Sequence, residues 1–592
     1  MVSKRVHLKN INRVILSETL PREVPYIFSN RYLYDKIKKN KEYQSGKVKG
    51  YYIPYDYKIK KDTTDYRKLG IMHPKMQIDF IRFYEKYKDL ILYYCNLSPF
   101  SLRKPIAIRK SYKIKDFNDS KNIDEEREQN ISYFRYEKYD IKARFFESFD
   151  FIKFEKKFKY LITTDISKCF YNIYTHTIAW AIKDKKYAKD NINKKIGFEK
   201  EFDKIMQASN YKETNGILVG AEISRIFAEI ILQKIDINIL NQLEKYELKN
   251  EVDYTIKRYM DDYFIYFNDI NKKDLIINTI KEELEFYKLY INEKKTKEFL
   301  LKPFITSISI AKIEIKKLFS NSFFKIDEKS NLKVEDFITE FKSIIFNNEI
   351  LYSSISGYVI SIILKKINAL IKKVEEYNIK NFLHKLFNML DILFFVYTMD
   401  VRFENTNKIT EILLNIKKCL EKTIFSNEKK DLILKKIRDE SIYIIKNNFC
   451  AEENISSEIL NFLITFTLIV DDFYNYLNVE DLKKIFKISD KINNLNYFQI
   501  ITLIFICKTS KDDCIYSELE KEIYKIAKEK IKDSKSAEDI MLYCDLKSLN
   551  KNVKLGGQDD TLKNVKFTNF NFKMEDLKLK IKMSKRNVKE NY

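Results

Sequence analysis

The sequence predicts an α+β N-terminal half followed by an all-helical C-terminal half, and the placement of helix-breaking residues is the main reason. All seven prolines lie at or before Pro303, and between Ala221 and Leu555 the only glycine is Gly357, so the second half lacks the residues that end helices. In the first half, prolines at 21, 25, 54, 74, 99 and 105 punctuate shorter elements. There, β-rich runs such as YLITTDI at 160–166 and YFIYF at 263–267 alternate with helical periodicity.

The elements divide into four stretches: an N-terminal extension over 1–60, an α+β module over 61–303, a helical domain over 304–555 and a basic tail over 556–592. Within the helical domain, segments 334–349, 357–377, 380–398, 406–424, 429–447, 456–470 and 516–534 carry apolar residues at three- and four-residue spacing between short polar turns. Successive helix pairs suggest a HEAT-like helical repeat; no clean period emerges, so an irregular bundle stays an alternative. After Gly556 and Gly557 the sequence turns polar and basic (KLKIKMSKRNVKENY) and reads as a flexible arm.

Composition excludes several classes. With 45% hydrophobic and 33% charged residues, 9 glycines and 7 prolines, the chain is neither disordered nor collagen-like. Apolar stretches such as 500–507 fall short of the ~20 residues that cross a bilayer, and Lys4, Arg5 and Lys9 precede no apolar block, so a soluble cytoplasmic protein without a membrane partner is expected. Seven cysteines without a C-x-x-C pair, and histidines only at 7, 73, 176 and 384, argue against zinc and disulfide scaffolds. The balance of 109 basic against 85 acidic residues gives +24, a field that attracts nucleic acid. An AT-rich genome writes a similar lysine-rich composition, so charge alone decides little.

The chemistry concentrates in Lys257-Arg258-Tyr259-Met260-Asp261-Asp262-Tyr263-Phe264-Ile265-Tyr266-Phe267, a hairpin with two acids at its tip. Adjacent carboxylates repel and raise each other's pKa, a cost that a divalent cation relieves. Alone, such a pair is also an ordinary turn. A third acid, Asp165, follows the strand-like run 160–164. Carboxylates ending two neighbouring strands suit a pair of Mg²⁺ ions, the arrangement that phosphoryl transfer to a 3′-hydroxyl requires.

At this point the sequence resembles the reverse transcriptase palm. Four motifs stand in the family's order: TTDISKCFYNIYTH (163–176), NGILVGAEISRIFAE (215–229), RYMDDYFIYF (258–267) and YINEKKTKEF (290–299). The resemblance makes 61–303 a fingers and palm module. It implies that Asp165, Asp261 and Asp262 bind two Mg²⁺ ions, with Mn²⁺ as a substitute. Phe170, five residues after Asp165, falls at the steric-gate position, which implies deoxynucleotide substrates. Gly216 and Gly220 bracket the turn before a helix at 221–234, where absent Cβ atoms let nucleotide and template approach. Asn292, Lys295 and Thr296 match the family's L-N-x-x-K-T pattern, making Lys295 a candidate acid for departing pyrophosphate.

Departures narrow the resemblance. Leu218-Val219-Gly220 and Ser224-Arg225 replace the common P-Q-G and S-P, so the template-seating glutamine is missing. Ser224 and Arg225, with Tyr174-Thr175-His176 and the helical C-terminal half, resemble the bacterial abortive-infection (AbiK-like) reverse transcriptases. That resemblance implies anti-phage defence, homo-oligomers, and DNA synthesis primed from a protein hydroxyl, either untemplated or using a non-coding RNA. Tyr26, Tyr32, Tyr34, Tyr43, Tyr51, Tyr52, Tyr55 and Tyr57 are N-terminal candidates for the priming hydroxyl, with the DNA product then covalently attached. The alternatives are an RNA-dependent RNA polymerase, which Phe170 opposes, and a catalytically degenerate RNA-binding scaffold, which the intact acids oppose. A nuclease module built on Arg and His one helical turn apart is not expected, because Ile379 stands five residues before His384.

Overall fold

The computed structural model describes the chain except for residues 1–3, 9, 40–49, 63–64, 115–130, 140, 192–195, 322–332, 377–378, 422–424, 450–454, 489–493, 511–514, 556–561, 563–564 and 590–592. An antiparallel four-stranded sheet floors the first half, in the order Lys297–Phe299, Tyr160–Asp165, Asp262–Phe267, Tyr254–Tyr259. Side chains alternate across a strand, and here both faces are covered. Ile162, Ile256, Tyr263, Ile265 and Phe267 join the main core, while Leu161, Tyr259, Phe264 and Tyr266 join a second cluster with Phe145, Phe151, Phe158 and Phe304. Two-sided burial explains why YFIYF is continuously apolar rather than alternating.

The helix Glu222–Lys245 packs against this module, with isoleucines at 223, 226, 230, 231, 235 and 239 all buried. It runs eleven residues beyond the expected end at 234, because neither Gly nor Pro interrupts it. Farther from the sheet, the hairpin Tyr55–Lys60 with Tyr66–Ile71 leads into the helix Pro74–Tyr94. Proline suits that helix start, and His73 caps it by accepting the Lys75 N–H.

The second half is helical. Tyr352–Lys372, Phe403–Leu420, Ser457–Ile469 and Tyr497–Thr509 pack each against the next, while Ile379–Met399 lies on Tyr352–Lys372 and on Asn427–Tyr443. Tyr352–Lys372 and Ile379–Met399 are long and apolar enough to cross a membrane by length and composition, which corrects the expectation that no segment reaches that size. In the structure, 44% and 50% of their most apolar windows are buried inside the fold.

The arm expected after Gly557 is also corrected. Phe567, Phe570 and Phe572 are buried, and the helix Met574–Lys589 buries Leu577 and Ile581 and packs on Phe403–Leu420. Apolar residues at helical spacing outweigh the lysines between them. This region clasps the N-terminal extension: Ser29 N–H donates to the Phe567 carbonyl (2.8 Å) and Asn569 N–H to the Ile27 carbonyl (2.9 Å). The Tyr26 hydroxyl donates to Asn407 Oδ1 (2.6 Å), and that of Tyr55 to Asn496 Oδ1 (3.0 Å). Residues 26–29 and Tyr55 thus connect the α+β module to the helical half.

Candidate active site

Three carboxylates meet where two strands end. Asp165 is the last residue of its strand and Asp262 the first of the neighbouring one, and the two are register partners. Asp262 also pairs with Tyr259, which leaves Met260 and Asp261 as a two-residue turn. Met260 sits at φ 56°, a conformation costly for a residue with a long side chain. Main-chain and side-chain bonds hold it: the Ile166 N–H donates to the Asp261 carbonyl (3.0 Å), and Arg258 Nη1 donates to the Met260 carbonyl (2.8 Å).

Arg258 is fully buried, and its whole guanidinium is engaged. Nε and Nη2 donate to Asp236 (2.8–3.1 Å), and Nη1 and Nη2 donate to Glu229 (2.9 and 3.1 Å). The Tyr263 hydroxyl adds a bond to Asp236 at 3.0 Å. Glu229 and Asp236 belong to the helix Glu222–Lys245, so the guanidinium ties that helix to the acidic turn.

Burial, then the neighbouring Asp262 and Asp165, holds the Asp261 carboxyl above its ordinary range. The outer two acids each take a lysine: Lys295 Nζ donates to Asp165 Oδ2 (2.5 Å) and Lys142 Nζ to Asp262 Oδ1 (2.8 Å). Its bond to Asp165 holds Lys295 above the usual lysine value. Lys295 reaches that position because the fourth motif is tied along the Asp165 strand. The Asn292 N–H donates to the Asp165 carbonyl (2.8 Å), and the Thr296 and Thr164 hydroxyls share a bond of 2.8 Å.

Phe170 is half-buried and lines a narrow pocket with Arg103, Glu222, Arg225, Met260 and Asp261. Glu222 joins the two arginines, accepting from Arg103 Nη2 (2.8 Å) and Arg225 Nη1 (2.5 Å), and their charge holds its carboxyl well below the usual range despite burial. Ser224 is fully buried and does not line this pocket, in contrast to its neighbour Arg225. Gly216 and Gly220 adopt φ 86° and 122°, and the chain itself presses on both. A Cβ on Gly216 would stand 3.0 Å from the Tyr171 carbonyl oxygen, and one on Gly220 2.6 Å from Pro21 Cγ. At both positions the missing Cβ makes room for a protein neighbour.

Lys142, Arg103, Glu222 and the partners of Arg258 escape a reading of the sequence. Each is an ordinary charged residue whose partner lies far along the chain: 120 residues for Lys142 and Asp262, 119 for Arg103 and Glu222.

Residues 109–334 match the family model of reverse transcriptase (RNA-dependent DNA polymerase). That span contains the three aspartates, Phe170 and Lys295, and the chain carries a reverse transcriptase domain. No curated protein matches the chain. Among solved structures it is similar to apo telomerase from Candida tropicalis, at TM-score 0.30 and 13% identity over 69% of this chain and 71% of that one. It is also similar to telomerase from Candida albicans in complex with a TWJ fragment of telomeric RNA, at TM-score 0.26 and 12% identity over 68% and 67%. At these scores neither structure bears on what this chain does.

Among the described residues, no three His, Cys, Asp or Glu side chains are gathered as a metal-binding group. The donor set nevertheless suits a hard divalent cation: carboxylate oxygens only, with Asp165 Oδ1 buried and without a hydrogen-bond partner among the described residues. Mg²⁺ needs only one or two protein carboxylates when substrate phosphates complete its shell.

Proposed function

We propose that the chain is a polymerase of reverse-transcriptase type that adds deoxynucleotides to a 3′-hydroxyl. The register that sets Asp165 opposite Asp262, with Asp261 in the intervening turn, carries this reading. Asp165, Asp261 and Asp262 would hold Mg²⁺ or Mn²⁺, which lowers the pKa of the attacking hydroxyl and neutralises the triphosphate. Lys295, kept protonated beside Asp165, is placed to deliver a proton toward the leaving pyrophosphate. Phe170 closes the pocket next to Asp261, where an aromatic ring opposes a ribose 2′-hydroxyl. Arg103 and Arg225 bring two guanidinium groups to the same pocket, donors suited to phosphate.

The finer reading is a defence polymerase of the abortive-infection group that works as a homo-oligomer with an accessory RNA or without a template. Its helical half then serves as a HEAT-like platform, a reading supported by the stacking of alternate helices from Tyr352–Lys372 to Tyr497–Thr509. Protein priming draws on other tyrosines than most of those at the N-terminus. Tyr26, Tyr34, Tyr52, Tyr55 and Tyr57 are buried, and Tyr43 lies outside the described residues.

The test is Mg²⁺-dependent incorporation of labelled deoxynucleotides by the purified chain. Asp165→Asn and Asp261→Asn each lower incorporation at least about a thousandfold while the variants stay folded by circular dichroism. Wild-type yields from the doubly substituted protein would overturn the polymerase reading. Phe170→Ala admits ribonucleotides; a wild type that already uses both kinds refutes the gate.

A further inference from the structure

Along the sheet from the carboxylates lies a cavity of about 370 Å³, between the loop 99–104, the segment 137–139, the helix Phe149–Lys157 and the outer strand Tyr254–Tyr259. None of the three aspartates lines it. On the free edge of the outer strand, the Arg258 N–H donates to the Phe100 carbonyl and its carbonyl accepts from the Leu102 N–H, both at 2.7 Å, and the Tyr254 carbonyl accepts from the Glu251 N–H (2.7 Å). Thr255 and Lys257, two residues apart and so on one strand face, both line the cavity. With Asp262 opposite Tyr259, they stand about 7–14 Å down the strand from the catalytic turn.

Three properties of this cavity point to one kind of ligand. The first is a surplus of positive charge: five lysines line the cavity against Glu137, Asp150 and Glu251. Lys138 is paired with Asp150 (2.6 Å) and Lys104 with Glu137 (3.6 Å). Among the described residues, Lys153, Lys157 and Lys257 have no carboxylate partner, and the last two bond only main-chain carbonyls, of Glu251 and Pro99. Burial holds Lys257 below the usual lysine value, a cost that an incoming anion offsets.

The second property is a pair of orphaned hydroxyls. Ser101 (5% exposed) and Thr255 (1%) line the cavity, and neither Ser101 Oγ nor Thr255 Oγ1 has a hydrogen-bond partner among the described residues. A buried hydroxyl left unpaired costs roughly 1–3 kcal/mol, which a polar ligand recovers. The third is an aromatic wall: Phe154 lines the cavity with the Lys257 ammonium 5.7 Å from its ring centre. Such a ring is a stacking surface for a planar base. The volume falls within the range of small-ligand pockets.

We propose that this cavity is a second ligand site that binds a phosphorylated ligand of nucleotide size. Its phosphoryl oxygens meet Lys153, Lys157 and Lys257, its polar edge meets Ser101 and Thr255, and its ring lies against Phe154. The nucleotide is either free or one unit of a nucleic-acid strand. The site goes beyond the polymerase reading and does not rest on it.

The experiment is isothermal titration of the full chain in EDTA, so that the catalytic carboxylates have no cation with which to hold phosphate. The probes are AMP and a dT10 oligonucleotide. We expect AMP to bind one site with a Kd below about 1 mM. Lys153→Gln with Lys157→Gln, at two exposed positions, weakens it at least about tenfold. Asp261→Asn binds AMP as wild type does, even where it has lost incorporation, which separates this site from the catalytic one. Displacement of AMP by dT10 supports a strand as the natural source, and indifference to dT10 supports a free nucleotide. No binding of either probe at several millimolar, or unchanged AMP affinity in the double lysine variant, overturns the proposal.

Discussion

Two clusters of acid and base flank the Met260–Asp261 turn, and they differ in the cation and in access to water. Behind the turn, Arg258 at 0% exposure forks onto Glu229 and Asp236. In front, Lys295 and Lys142, 62% and 44% exposed, each cap one carboxylate. A buried guanidinium fixes geometry, because its planar fork is satisfied in one arrangement and water cannot replace a lost partner. An exposed lysine holds a point charge on a flexible stem, screened by solvent and replaceable by another cation. The same charges thus make an anchor on one side of the turn and an exchangeable rim on the other.

The comparison breaks most readily at the anchor. Arg258→Gln leaves Glu229 and Asp236 buried without their cation and lowers stability by about 3–5 kcal/mol, measured by urea unfolding. Arg258→Lys keeps the charge without the fork and falls between the two. An unfolding midpoint unchanged in the glutamine variant would mean that the cluster anchors nothing.

A buried acid with no cation bonded to it sharpens the contrast. Glu458 accepts only a main-chain N–H from Lys60 (3.0 Å) among neighbouring elements, and burial pushes its carboxyl up to about 7. Between the unfolded value near 4.5 and about 7, the folded protein keeps a proton that the unfolded chain has released. Stability therefore falls as pH rises through that window and levels off above it. Glu458→Gln, which retains an acceptor for the Lys60 N–H, flattens the fall. Above pH 7 it is more stable than wild type by about 3 kcal/mol. Parallel pH profiles for the two proteins would contradict this.

The smallest stability effect belongs to the rim. Lys142→Met and Lys295→Met each change unfolding free energy by under about 1 kcal/mol. Lys295→Met lowers incorporation about a hundredfold, the scale of a lost general acid. A stability loss as large as that of Arg258→Gln would erase the distinction between rim and anchor.

The legible part of the site is local. A strand, a two-residue turn and a second strand that begins with an acid occupy fourteen consecutive positions, 254–267, and an apolar run on either side of Asp261-Asp262 suffices to read them. Helices without Gly or Pro were legible for the same reason, with ends displaced by a few residues, or by eleven for Glu222–Lys245, where no breaker marks them. The anchor was not legible, because Arg258 finds Glu229 and Asp236 on a helix 29 and 22 residues earlier, and nothing in either segment specifies the other. The tail was misread for a different reason. Lysines dominate its composition, yet Leu577 and Ile581 share one helix face, and Lys580 Nζ reaches inward to the Phe28 carbonyl (2.7 Å).

The clasp between residues 26–29 and 567–569 has a consequence for biosynthesis. Phe28 leaves the ribosome early, but its neighbours Tyr497, Phe498 and Phe567 arrive only after most of the chain has been made. At 5–20 residues per second that delay is on the order of a minute. During it residues 26–29 lack these partners, although Glu18 and Pro21 just upstream already meet Ile223 and Gly220. Contacts of such high sequence separation form late in folding. Nascent chains arrested before residue 565 therefore carry the catalytic aspartates with residues 26–29 not yet clasped.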